Sequence, residues 1–127
     1  MTISKYKKGY RAEWELLHKI YKSGFLAIRS PRSGRIGLPS PDIIAVKNRR
    51  LIVIECKSRE DGFTVDKDQI GQLKAWKKRA KAMVYIAWRM SRKGWRFIPL
   101  EDVIKNRGRI GKKFYEKNGI EFDKIFK

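Results

Sequence analysis

PDIIAVKNRRLIVIECK, residues 41–57, is the stretch on which the fold turns. Asp42–Lys47 and Leu51–Lys57 are both rich in β-branched residues, and only Asn48, Arg49 and Arg50 separate them. Two such runs joined by so short a polar link predict a β-hairpin. The second arm is apolar almost throughout, the pattern of a central strand covered on both faces.

Three charged residues interrupt this apolar hairpin. Asp42 opens the first arm, and Glu55 and Lys57 fall at the end of the second. A buried charge costs several kcal/mol unless something compensates it, so these three need an explanation. Register supplies one. If Asn48 and Arg49 form a two-residue loop, Lys47 faces Arg50, and counting outward sets Asp42 directly opposite Glu55. Opposed residues have Cβ atoms roughly 4.5–5.5 Å apart, so the two carboxylates converge. Glu55 and Lys57 share a strand face while Cys56 points to the other. Converging carboxylates repel unless a cation lies between them, and oxygen ligands without a Cys/His set point to magnesium, with manganese able to substitute. The competing arrangement has Asp42 opening a turn and Glu55 pairing with Lys57. The proline before the aspartate and the hairpin register together favour the metal site.

Working outward, residues 6–23 place Tyr10, Trp14, Leu17, Ile20 and Tyr21 at helical spacing, closed by Gly24. Within this helix Glu13 stands out, because Leu16, Leu17 and Ile20 follow it at three, four and seven residues. Its carboxylate therefore sits on or beside the face that docks on the sheet. Phe25–Arg29 reads as a strand, and RSPRSGRIGLPSP (29–41) as an irregular basic loop. After the hairpin, Asp66 and Gln69 fit a capping box ahead of Ile70, Leu73, Trp76 and Ala80, a second helix. Ala82–Met90 and Trp95–Leu100 follow as strands, then a further strand and a helical C-terminal segment. The order is α, β, β, β, α, β.

The 127 residues make one domain, 1–127, with no repeat or linker, large enough to bury about two-thirds of its surface. A single cysteine and a single histidine exclude an intrachain disulfide and a Cys/His zinc set, and suit an intracellular setting. No run approaches the roughly 18 apolar residues of a membrane span, so no membrane association is expected. Against 13 acidic residues stand 32 Lys and Arg, a net charge of +19, and such an imbalance calls for a polyanion. With 42% hydrophobic content the chain is too apolar for a disordered basic tail, which leaves nucleic acid as the partner.

Pro41-Asp42 followed by Glu55-Cys56-Lys57, inside this element order, resembles the PD-(D/E)xK nuclease superfamily. KKGYRAEWELL (7–17), the RSPRSG loop, the IECK strand and GWRFI (94–98) further resemble the archaeal-type Holliday-junction resolvases, of archaeal cells or an archaeal virus. The resemblance covers residues 7–100. It implies a restriction-endonuclease-like α/β fold with a mixed central sheet flanked by helices. It also implies a homodimeric, magnesium-dependent endonuclease that resolves four-way DNA junctions in the archaeal cytoplasm. On it, Asp42 and Glu55 match metal-binding carboxylates, joined by Glu13, and Lys57 matches the lysine at the attacking water or the phosphate. Ser33 falls in a serine-containing loop, with Arg29, Arg32 and Arg35 as phosphate contacts; Lys7, Lys8 and Arg11 join them as DNA-binding residues. Trp14 departs from the pattern, because a basic residue often follows the helix-one glutamate. Other readings of the same residues are a duplex or flap endonuclease and a non-catalytic architectural DNA-binding protein.

The remaining candidates carry less. His18 reads as a solvated side chain. Gln69 and Gln72 are placed to orient a water or to serve as cap and surface residues. Trp76, Tyr85, Trp88, Trp95 and Phe97 read as core. Phe114, Tyr115, Phe122, Ile125 and Phe126 are apolar side chains in surplus, which predicts a dimer surface within residues 101–127.

Overall fold

The computed structural model describes residues 5–30 and 38–127, with the side chains of the first helix described from Tyr10 onward. Ser33, Arg32 and Arg35, and the side chains of Lys7 and Lys8, lie outside the described residues. Helix α1 (Lys5–Lys22) leads into strand β1 (Leu26–Arg29), and the hairpin is β2 (Ile43–Lys47) and β3 (Arg50–Ser58). A short β4 (Phe63–Thr64) precedes α2 (Lys67–Ala80), β5 (Met83–Met90) and β6 (Gly94–Pro99). The chain ends with α3 (Leu100–Lys105), β7 (Arg109–Ile110), α4 (Lys112–Asn118) and α5 (Phe122–Ile125).

Five strands form one mixed sheet in the order β1-β2-β3-β5-β6, with β3 central and β3–β5 its parallel pair. The expected order of elements is present, and β3 is covered on both faces. Hairpin register follows from the link: Asn48 and Arg49 both take positive φ, 48° and 67°, as a type I′ turn requires. Lys47 then pairs with Arg50 and Ile43 with Ile54, so one step further along brings Asp42 across from Glu55. At the end of α1, Gly24 takes φ 102°, a conformation open to glycine at little cost.

Two apolar layers sandwich the sheet. On one side Leu16 and Ile20 of α1 pack on Ile43, Ala45, Ile52, Ile54 and Phe97. On the other, Leu73 of α2 and Val103 of α3 pack on Val53, Ile86 and Trp88. The expected surplus of apolar side chains at the C-terminus is not a surplus. Phe122, Ile125 and Phe126 are buried in the α1-side layer, where Phe126 sets its ring against Phe25 and Phe97. Tyr115 is buried on the other side, its hydroxyl donating to the Gly94 carbonyl at 2.8 Å. Arg50 fastens this tail by donating to the carbonyls of Ile125 and Lys127. Four of the five apolar side chains, Tyr115, Phe122, Ile125 and Phe126, thus belong to the chain's own core, and Phe114 is partly buried against it.

Candidate active site

Asp42 lies where β2 begins, and its position follows from the hairpin edge. Beyond the Ile43–Ile54 pair the β3 backbone would lose its β2 partner, and the Asp42 carboxylate takes over that role. Its Oδ2 accepts from the Cys56 N–H at 2.7 Å, and its carbonyl accepts from the Ser30 N–H at 2.9 Å. The carboxylate therefore lies near the plane of the sheet, where groups from both faces can reach it.

From the α1 side comes Glu13. It is 3% exposed on the helix face that also buries Ala12, Leu16 and Ile20. Carboxylate oxygens of Glu13 and Asp42 and the Cys56 Sγ lie within 4.8 Å of one another. Arg29, at the end of β1, sets its Nε 3.7 Å from Glu13 Oε1, an ion pair too long for a hydrogen bond. Its guanidinium carbon lies 4.2 Å from the centre of the Tyr10 ring. Arg29 thus belongs to the interior of the site, while Arg11 is exposed on the outside of the helix.

From the α2 side come Glu55 and Lys57, neighbours on one face of β3. Lys57 Nζ is 3.9 Å from Glu55 Oε2. Glu55 is 9% exposed, and its carboxyl is pushed from 4.5 up to about 8, first by burial and then by the Asp42 charge, with Lys57 pulling the other way. Burial, then the carboxylates around it, likewise raises the Cys56 thiol. As a protonated thiol, Cys56 is a poor metal ligand beside hard carboxylate oxygens.

Three carboxylates from α1, β2 and β3 thus meet at one end of the sheet, with Lys57 and Arg29 on either flank. The carboxylate oxygens of the set fit a hard divalent cation: those of Glu13 and Asp42 lie within 4.8 Å of each other, and Glu55 feels the charge of both. Two further side chains border the set: Gln69, read from the sequence as a water-orienting or capping and surface residue, and Cys56, read only as facing away from Glu55. Gln69 of α2 donates from Nε2 to Glu55 Oε2. Its backbone N–H takes the Asp66 cap at 2.8 Å, as the capping pattern predicts, but its side chain turns to Glu55 instead of closing the box. Cys56 does point away from Glu55, and the face it points to is the one Glu13 occupies. Gln72 and His18 are exposed, as expected.

Comparison with known proteins identifies the family. The profile of the archaeal Holliday junction resolvase (Hjc) family matches residues 4–127. Crossover junction endodeoxyribonuclease Hjc of Archaeoglobus fulgidus is 38% identical over 95 residues, covering 74% of this chain and 70% of the relative. A crossover junction endodeoxyribonuclease of Sulfolobus islandicus rod-shaped virus 1 is 40% identical over 74 residues, 58% of this chain and 60% of the relative. The crystal structure of the Archaeoglobus fulgidus Hjc, a Holliday junction resolvase, superposes with a TM-score of 0.81 at 32% identity, over 91% of this chain and 95% of that one. The fold is accordingly restriction-endonuclease-like, and with the family profile spanning nearly its whole length, this chain belongs to the archaeal Holliday junction resolvase family.

Proposed function

We propose that this chain is a metal-dependent endonuclease that resolves four-way DNA junctions by paired, symmetric phosphodiester hydrolysis. The observation that carries the reading is the Glu13–Asp42 carboxylate pair at one sheet end, with Glu55 close enough to feel both charges and Lys57 beside it, in a chain of net charge +19. Glu13, Asp42 and Glu55 would hold magnesium, or manganese in its place. Bound there, the ion supplies Lewis acidity for the phosphate and a water of lowered pKa. The chain's own groups do the rest. The Cys56 N–H fixes the Asp42 carboxylate, and Lys57 brings its ammonium to the attacking water or the developing phosphate charge. Arg29, held against Glu13, faces the scissile phosphate. Arg11, with Lys7, Lys8, Arg32, Arg35 and Ser33, extends the phosphate contacts that position the DNA.

One such constellation cuts one strand, and resolution needs two cuts, so the working unit is a homodimer. The apolar surface for it lies on β1 and β2. Leu26 pairs with Val46 and Ile28 with Ile44 on one sheet face, and Leu26, Ile28 and Val46 are 72%, 64% and 43% exposed. The opposite ends of these strands carry Arg29 and Asp42, so a second copy docked there brings two sites together. No helix of the described residues is long and apolar enough to cross a membrane, and the proposed setting is the interior of an archaeal cell, with host- and virus-encoded relatives.

The test is cleavage of matched four-way, Y-shaped and linear DNAs with magnesium and with excess chelator. Paired nicks confined to the four-way junction and lost in chelator support the reading. Equal cutting of linear duplex replaces it with a general endonuclease, and binding without cleavage under all conditions replaces it with an architectural protein.

A further inference from the structure

We infer that the outer face of α1 is a stacking platform for nucleobases exposed at a DNA branch point, built from Trp14 braced on His18. The inference rests on the junction reading above and adds to it a recognition element made of side chains outside the carboxylate cluster. Trp14 immediately follows buried Glu13 yet is 50% exposed, and Tyr10 and Tyr21 on the same side of the helix are 42% and 63% exposed. A net charge of +19 draws an anionic partner to this chain, and one that also presents flat apolar faces is nucleic acid with accessible bases.

The brace is specific. The Trp14 and His18 ring centroids are 3.8 Å apart with the planes at 34°, and His18 Nδ1 donates to the Trp14 carbonyl at 2.8 Å. Two residues one turn apart thus fix the indole's orientation, which reduces the rotamer freedom lost on binding. Location links the platform to the chemistry. Tyr10 lies one turn before Trp14, under the Arg29 guanidinium at 4.2 Å, and Arg29 in turn lies 3.7 Å from Glu13. The aromatic run therefore begins at the rim of the candidate active site and leads away from it along α1. A base beside the scissile phosphate can reach Trp14 only if it has left its stack. A branch point opened into its unstacked form offers such a base far more readily than intact duplex, so Trp14 acts on junction preference and leaves general affinity to the basic residues.

The experiment compares metal-free wild type, Trp14→Ala and Trp14→Phe on a four-way junction and on a linear duplex of the same arm sequences, each carrying 2-aminopurine at the branch point or within an arm. Removing one base–aromatic stack predicts about 5- to 150-fold weaker junction binding for Trp14→Ala, with duplex affinity unchanged and Trp14→Phe close to wild type. Wild type should quench 2-aminopurine at the branch point and Trp14→Ala should not. Equal loss on both DNAs, or no loss with quenching intact, overturns the platform. If wild type shows no preference for the junction, the resolvase reading fails first, and the platform is then judged on duplex with an unpaired 2-aminopurine bulge. Quenching lost in Trp14→Ala sustains it there, and quenching retained rejects it.

Discussion

Replacing Glu55 by glutamine should make the metal-free protein more stable at alkaline pH while abolishing cleavage. The magnitude follows from the position of the side chain. Its carboxyl is raised from 4.5 to about 8, chiefly by burial and next by Asp42. A group that holds its proton more tightly when folded than when unfolded contributes stability that is fully present below pH 4.5. That contribution drains away as pH rises through about 8. At 1.36 kcal/mol per pKa unit the whole span is worth about 5 kcal/mol, an upper figure because Asp42 and Lys57 share the titration. Glutamine keeps the shape and carries no charge, so the variant should lack this loss.

The assay is urea unfolding of both proteins in chelator at pH 5 and at pH 9. Wild type should lose about 2–5 kcal/mol more than Glu55→Gln between the two. Added magnesium should stabilise wild type at pH 9 by more than it stabilises the variant, which keeps the Glu13 and Asp42 carboxylates but not the third. Parallel stability curves for the two proteins across this range would refute the account of Glu55 as a carboxyl that burial and Asp42 keep from ionising, with Lys57 offsetting only part of that cost.

Asp42→Asn and Lys57→Ala should each abolish cleavage and retain junction binding, measured by anisotropy, because affinity resides in the basic surface; a folded variant that loses both together would assign the residue a structural role. Gln69→Ala should raise the half-saturating metal concentration about 10- to 100-fold, the worth of a hydrogen bond to a charged group, read both in cleavage and in Mn²⁺ binding by electron paramagnetic resonance without DNA; unchanged Mn²⁺ binding would remove Gln69 from the site. Ile28→Asp combined with Val46→Asp should convert a dimer of about 30 kDa into the 15.0 kDa monomer in sedimentation and leave nicking without paired resolution; a persistent dimer would place the interface elsewhere.

The hairpin was legible because its two controls are local. Strand identity comes from β-branched residues, and register comes from a two-residue link whose backbone twist the structure realises with Asn48 and Arg49 at positive φ. From these alone Asp42 falls across from Glu55. The C-terminal segment was misread for the converse reason. Phe122, Ile125 and Phe126 show ordinary apolar character, and nothing local tells whether the cover they seek is a second chain or the far side of their own sheet. Here the answer depended on Arg50, a residue over seventy positions away, holding the tail by its terminal carbonyls.

Gln69 shows the same limit at the scale of one side chain. Three residues after Asp66 it satisfies a capping pattern, and half of that pattern is real, since Asp66 does accept from its N–H. The other half competes with a stronger acceptor. A side-chain amide gains more from a carboxylate than from a neutral backbone partner, and parallel pairing of β3 with β5 across α2 brings the first turn of that helix to the Glu55 end of β3. Spacing along the chain registers the cap and a glutamine near the active strand, and leaves the acceptor of its amide unspecified. The carboxylate becomes visible once the crossover has placed helix and strand side by side, and the choice between the two partners is then decided by charge.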